Sequence, residues 1–538
     1  MSHFEKPLSP VTFLERSGRA FPEKLAVTQG ELSFTFGQLL YRARCLAQGL
    51  SQLGVKSGDK VAVLHENSIY TAEVHFGIPG AGAIIVMINP WLSAEDIVEL
   101  LKYSRAKVLI ASEKTIEKLL SSHLADVMRE IRIILTKQKE VGENNYLCYE
   151  QMLHDQNGEL SLDGLLRSEL DPIAINFTSG TTGRPKGVIY NHRAAYLHAM
   201  GQILMLDLKR RSNYLWTLPM FHVNGWGHIW AAVAVGATQF IPTGNILRGN
   251  SEGLLEEIRT LCISHLAGAP RLIKLLVDNK NSDTTLNGIT ILTGGTAPSA
   301  DLNKQMEIAG VNLIHQYGLN ETLGPFVVCE MGEDWKTLSL DERSKLRMRQ
   351  GVSAIHAGTG LRVIDENGFD VPHDGRTIGE VVMFGNTLAM GYYDNPAATA
   401  SSFRDGMFRS DDMAVVHPDG YLEIRDRKKD MIYVETEYGW ENVSAIEIEN
   451  IILQKESVQD AAVMSIPCEI DSEFNHIIVA FIEVKDGRDF NKEDIEIYCR
   501  ENLAIYKWPK KYYFTKIPKT STGKVQKNIL SKLVCTTL

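Results

Sequence analysis

Residues 177–188 read FTSGTTGRPKGV. Twelve positions hold three glycines (Gly180, Gly183, Gly187), four hydroxyl-bearing residues (Thr178, Ser179, Thr181, Thr182) and Lys186. Glycine lets a backbone turn tightly and bring N–H groups close to an anion. The hydroxyls add donors and the lysine adds charge, which together suit a polyphosphate. The stretch follows an apolar run, 173–176, that reads as a strand. It is not a Walker A loop, which needs Ser or Thr directly after Gly-Lys. Here the lysine precedes Gly187, and Val188 follows.

Outward from this loop the chain alternates short apolar runs with longer amphipathic ones. KVAVL at 60–64 and KVLIA at 107–111 read as buried strands. Between them, 93–103 reads as a helix: Ser93 with Asp96 forms a capping signature, and Ile97, Leu100 and Leu101 share a face. The pattern resumes at 291–293 and 311–314 and predicts a layered α/β fold. Beyond about Gly420 the texture changes. Residues 419–430, DGYLEIRDRKKD, open with a turn, continue as a short strand and end in dense charge. Strands are expected at 461–466 and 476–484 and a helix at 491–503. This predicts a large N-terminal domain, 1–426, of layered sheets and helices, and a smaller α+β C-terminal domain, 427–538.

With 538 residues, 44% of them hydrophobic and 23% charged, the chain has the balance of a globular protein with room for two or more domains. A net charge of -10 argues against nucleic-acid binding, which calls for a basic stripe. Seven scattered cysteines, none in a CxxC pair, argue against a disulfide framework or a zinc site. No apolar run is long enough to span a bilayer. The N-terminus lacks a signal-peptide pattern and the C-terminus an SKL address, so a cytoplasmic location is expected.

Further motifs lie along the chain. They are PMFHVNGW at 219–226, LRMRQGV at 346–352, TGGTAP at 293–298, HQYGLNET at 315–322, FRSDD at 408–412, DRKKD at 426–430 and PKTSTGKV at 518–525. Taken alone, each has a plain structural reading: a packed histidine, a tight strand–helix turn, a solvated charge run. In this order, and with the 177–188 loop, they resemble the adenylate-forming superfamily of acyl-CoA synthetases, aryl-CoA ligases, luciferases and peptide-synthetase adenylation domains.

The resemblance implies ATP-dependent activation of a medium-chain fatty or aromatic acid to an acyl-adenylate. Transfer to coenzyme A would follow, releasing AMP and pyrophosphate. It implies ATP and Mg2+ at the site and a mobile C-terminal domain. Thr178, Ser179, Gly180, Thr181, Thr182, Gly183 and Lys186 match the phosphate loop, with Thr181 also assigned to catalysis. His222 matches a histidine that borders the acyl group and gates access to the carboxylate. Gly294, Gly295 and Thr296 match a turn that borders the adenine and the acyl group. Tyr317 matches a ring that stacks near the adenine, with Gln316 and Gly318 beside it in the nucleotide site, and Asn320 a position that can donate to a phosphate oxygen. Glu321 matches the magnesium carboxylate, Asp412 and Arg427 the ribose contacts, Lys429 the hinge and Lys524 the catalytic lysine of adenylation.

Departures from the pattern are Asn320 for threonine, Ser410 for threonine and Asp411 for glycine. Adjacent carboxylates at 411 and 412 would repel an anionic ligand unless Asp411 points away. The segment 433–442, YVETEYGWEN, carries about four residues more than relatives have. An alternative acceptor, a carrier-protein thiol or an amine, is therefore kept open, as is a catalytically silent nucleotide-binding homologue. A homodimer also stays open.

Overall fold

The computed structural model describes residues 6–120, 131–136, 146–178, 185–243, 251–278, 286–436, 439–467, 476–485, 491–519 and 525–535. The chain divides into two compact units, residues 1–361 with 383–408, and residues 362–382 with 409–538.

The first unit is built on two large sheets. In one, Lys60–Leu64 pairs in parallel with Ile84–Met87 and with Val108–Ala111. These strands are almost wholly buried, and a parallel sheet covered on both faces demands such continuous apolar runs. Each buried valine or isoleucine contributes about 1.5–3 kcal/mol from burial. Pro172–Thr178 joins the same sheet beside Ile84–Met87, and Lys186–Asn191 returns antiparallel to it. Helix Ala94–Ser104 follows the expected cap: the Ser93 hydroxyl accepts the Asp96 N–H at 3.1 Å and donates to the Asp96 carboxylate at 2.7 Å. Helix Ile69–Gly80 is buried at every position, including Glu73, which is paired there with Arg42.

In the other sheet, His265–Ala267, Thr290–Thr293 and Asn312–Leu319 run parallel, and Gly324–Val328 turns back antiparallel to the last of them. Helix Val223–Val235 packs against helices Val11–Ala20 and His192–Leu206.

In the second unit, Val458–Pro467 pairs antiparallel with His476–Val484, which pairs in parallel with Lys511–Phe514. Helices Ala445–Ile452 and Lys492–Asn502 cover this sheet through Ile448, Ile452, Ile495 and Cys499. Asn491 caps the second helix by accepting the Glu493 N–H. The charged stretch 426–430 lies inside this unit, and Asp426 is buried there. Its carboxylate accepts the N–H groups of Arg427 and Ala445 at 2.8 and 2.9 Å and so fastens the start of helix Ala445–Ile452. The segment with extra residues forms a hairpin, Ile432–Thr436 against Gly439–Val443, with residues 437–438 outside the described set.

Candidate active site

The phosphate loop joins two antiparallel strands whose final rung is Thr178 opposite Lys186. Ser179, Gly180, Thr181, Thr182 and Gly183 lie outside the described residues, as does Lys524. The strands fix both ends of the loop. At its exit the Lys186 ammonium sits 4.7 Å from the centre of the Tyr392 ring, a cation–π distance. Tyr392 belongs to the short strand Gly391–Tyr392, which pairs with Lys186–Asn191 through Tyr392 opposite Val188. The Tyr392 hydroxyl donates to Glu321 Oε1 at 2.7 Å. The Ala389 N–H donates to the Glu321 carbonyl at 2.8 Å. One segment thus connects the expected phosphate lysine to the expected metal carboxylate.

Glu321 lies in a short 3-10 turn, Asn320–Thr322, closed by the Thr322 hydroxyl, which donates to the Gly324 carbonyl at 2.7 Å. Gly318 is a strict requirement: a Cβ there would stand 1.7 Å from the Gly324 oxygen. At Gly294 a Cβ would fall 2.2 Å from Gln316 Nε2, so the amide lies directly over that glycine. The buried Gln316 Oε1 has no hydrogen-bond partner among the described residues. Gly295 adopts φ +89 and is exposed with Thr296, while Tyr317 and Asn320 are half-buried.

His222 precedes helix Val223–Val235, and its carbonyl accepts the Trp226 N–H at 3.1 Å. Part of its surface stays accessible, yet burial pushes the ring down to about 4. It is therefore neutral at physiological pH. Phe221 meets Trp91 edge-on at 5.2 Å, and Trp226 packs on Tyr190 of the phosphate strand at 5.3 Å. A Cβ on Gly324 would touch the Val223 carbonyl at 3.4 Å. The histidine segment, the phosphate strand and the Glu321 turn therefore converge within one unit.

In the second unit Asp412 lies directly across the strand pair from Arg427. Arg427 Nε stands 3.2 Å from Asp412 Oδ1. Ser410 keeps a working hydroxyl that donates to the Val381 carbonyl at 2.7 Å and accepts the Asp412 N–H at 3.1 Å. Asp411 is exposed while Asp412 is buried. Lys429 is exposed in the turn after Arg427. Lys519 and Val525, which flank residues 520–524 in the sequence, form an antiparallel bridge.

Sequence reasoning missed Tyr392 and Asn67. Asn67 Nδ2 donates to the Leu218 carbonyl, and its Oδ1 accepts the Met220 N–H, both at 2.7 Å. It thereby sets the turn ahead of His222. Neither residue sits in a charged or glycine-rich motif. For Tyr392 the available signal is two aromatic residues ahead of an Asp-Asn-Pro turn at 394–396.

Among the described residues there is no group of three or more His, Cys, Asp or Glu able to hold a metal ion by themselves. A magnesium ion that shares ATP phosphates needs only one or two carboxylates plus water. Glu321 fits that requirement, with Tyr392 on one oxygen.

One sheet that carries a hydroxyl-rich phosphate loop, a second that carries the Glu321 turn, and a smaller α+β unit with an aspartate–arginine pair are the parts of a nucleotide-using enzyme class. The AMP-binding enzyme family matches residues 14–393, and the AMP-binding enzyme C-terminal domain matches residues 447–524. The chain belongs to this family. It is 37% identical over 535 residues to a 4-hydroxybutyrate–CoA ligase of Metallosphaera sedula, covering 97% of this chain and 94% of the relative. It is 33% identical to a trans-cinnamate:CoA ligase of Petunia hybrida, covering 97% and 93%. Among solved structures, the anthranilate CoA ligase AuaEII in complex with anthranoyl-AMP superposes with a TM-score of 0.86 at 25% identity, covering 100% of this chain and 99% of that one.

Proposed function

We propose that this protein is an AMP-forming acid–thiol ligase that turns a small carboxylic acid, medium-chain aliphatic or aromatic, into its coenzyme A thioester. The observation that carries this reading is likeness along nearly the whole chain to relatives named as CoA ligases. In the first half-reaction a carboxylate oxygen attacks the α-phosphorus of ATP, and the bond to pyrophosphate breaks. In the second, the coenzyme A sulfur attacks the acyl carbonyl, the thiol gives up its proton and AMP leaves.

The loop 178–183 and Lys186 would hold the phosphates. Lys524 would offset charge developing at the α-phosphate and carboxylate, an electrostatic role whose value lies in the transition state. Asp412 and Arg427 would accept and orient the ribose, and Gly294, Gln316 and Tyr317 the adenine. Neutral His222 would border the carboxylate without adding charge. Lys429 would be the pivot for movement of the C-terminal domain between half-reactions. Glu321 would hold magnesium, which when bound with ATP offsets phosphate charge.

The test is mass detection of products from ATP, magnesium and a panel of short-chain, medium-chain and aryl acids, with and without coenzyme A. Acyl-CoA formed from one class of acid supports the reading and names the class. Acyl-AMP that accumulates regardless of coenzyme A would contradict the thioester step and direct attention to another acceptor and to the hairpin at 432–443. Absence of both products across the panel would contradict adenylation.

A further inference from the structure

We propose that Tyr392 is a positioning residue for magnesium–ATP. Its hydroxyl sets the carboxylate of Glu321, and its ring seats the ammonium of Lys186. One side chain would thereby hold the anionic and cationic halves of the phosphate site in register. The inference rests on the adenylation reading and extends it to a residue outside every motif that led there.

Tyr392 is itself held rigidly. It is 6% exposed. Its N–H donates to Thr399 Oγ1 at 2.9 Å, and its ring meets Phe403 edge-on at 5.9 Å. Gly391 adopts φ +132, and a Cβ there would stand 2.6 Å from Thr399 Cγ2. The neighbouring Ala389 N–H pins the Glu321 main chain. The remaining freedom of Glu321 is rotation of its side chain, and the Tyr392 hydroxyl acts on that freedom through a bond to one carboxylate oxygen. A hydrogen bond to an ionised acceptor is short and strong, so it selects one orientation. Lys186 approaches the same ring from the end of the phosphate hairpin. The two functions of Tyr392 are chemically separable, since phenylalanine keeps the ring and loses the hydroxyl.

The experiment measures ATP binding by calorimetry without acid substrate, at zero magnesium and across a magnesium titration. Wild type, Tyr392→Phe, Tyr392→Leu, Glu321→Gln and the Phe/Gln double variant are compared. Tyr392→Phe should raise the magnesium concentration for half-saturation by about tenfold, the scale of one lost hydrogen bond to a charged group, and leave metal-free ATP binding unchanged. Tyr392→Leu should weaken metal-free binding as well. In the Glu321→Gln background, Tyr392→Phe should add nothing, as expected if both act through one contact.

The proposal is overturned if wild type responds to magnesium and Tyr392→Phe responds identically. It is overturned equally if Tyr392→Phe weakens ATP binding by the same factor with and without metal, which is what a packing role gives. If Tyr392→Phe does not fold, the hydroxyl is a structural element and the proposal also fails. A wild-type protein that binds no ATP would sink the adenylation reading itself, a result distinguishable from the others.

Discussion

At position 411 an aspartate stands at φ +59, in the left-handed region, and its carbonyl accepts the Lys428 N–H at 2.7 Å. Aspartate tolerates this conformation far better than a branched side chain does. The turn geometry explains how a residue other than glycine can sit beside Asp412. The carboxylate faces solvent and leaves Asp412 buried and paired with Arg427. Asp411→Val should therefore destabilise the second unit by about 1–2 kcal/mol, read as a lower urea midpoint, whereas Asp411→Gly should not. Equal midpoints for the valine and glycine variants would show that the turn relaxes. The adjacent carboxylates at 411 and 412 were visible in the sequence, but their opposite exposure was not. It depends on the strand pairing that sets Asp412 against Arg427.

Helix Ala445–Ile452 carries a prediction of its own. It is capped by the Ser444 hydroxyl, which accepts the Glu447 N–H at 3.2 Å, and by Asp426. On its inner side Glu449 accepts the Val463 N–H at 2.8 Å. Burial pushes Glu449 up to about 7, although Lys527 at 3.9 Å and the Val463 bond pull the other way. The folded unit therefore binds a proton that the unfolded chain releases above about pH 4.5. Stability contributed by the protonated group is full below that pH and is lost as pH rises toward 7. The change is on the order of 3 kcal/mol. Glu449→Gln should flatten this slope when the second unit is melted between pH 5 and pH 8. An unchanged slope would place the effect elsewhere. Nothing in the periodicity of AIEIENII marks Glu449, because its environment is supplied by strand Val458–Pro467 and helix Lys527–Cys535.

Across the molecule the first unit should respond to pH in the opposite sense. Burial pushes His75, His192, His228 and His315, along with His222, down to about 4. The unfolded chain takes up protons near pH 6.5 that the folded unit refuses. Stability is thus present above pH 6.5 and drains as pH falls toward 4. Calorimetry over pH 4.5–7.5 should show the unfolding of the first unit moving to lower temperature on acidification while the Glu449 contribution of the second unit grows. If both units shift together and in proportion, the histidines are solvated and the argument fails.

By itself the sequence determined the α/β class, the strands at Lys60–Leu64 and His476–Val484, the Ser93 cap and the family. Each of these is written locally, in period, caps or contiguous motifs, and local patterns survive without knowledge of what packs beside them. Tertiary structure alone decided that Tyr392 joins Lys186 to Glu321, that Asn67 sets the turn before His222, and that 433–442 is largely a hairpin. Those relations depend on strand register and on contacts between residues 71 and 151 positions apart. A hydrogen bond across such a separation leaves no periodic mark, because only the folded sheet brings its two ends within 3 Å.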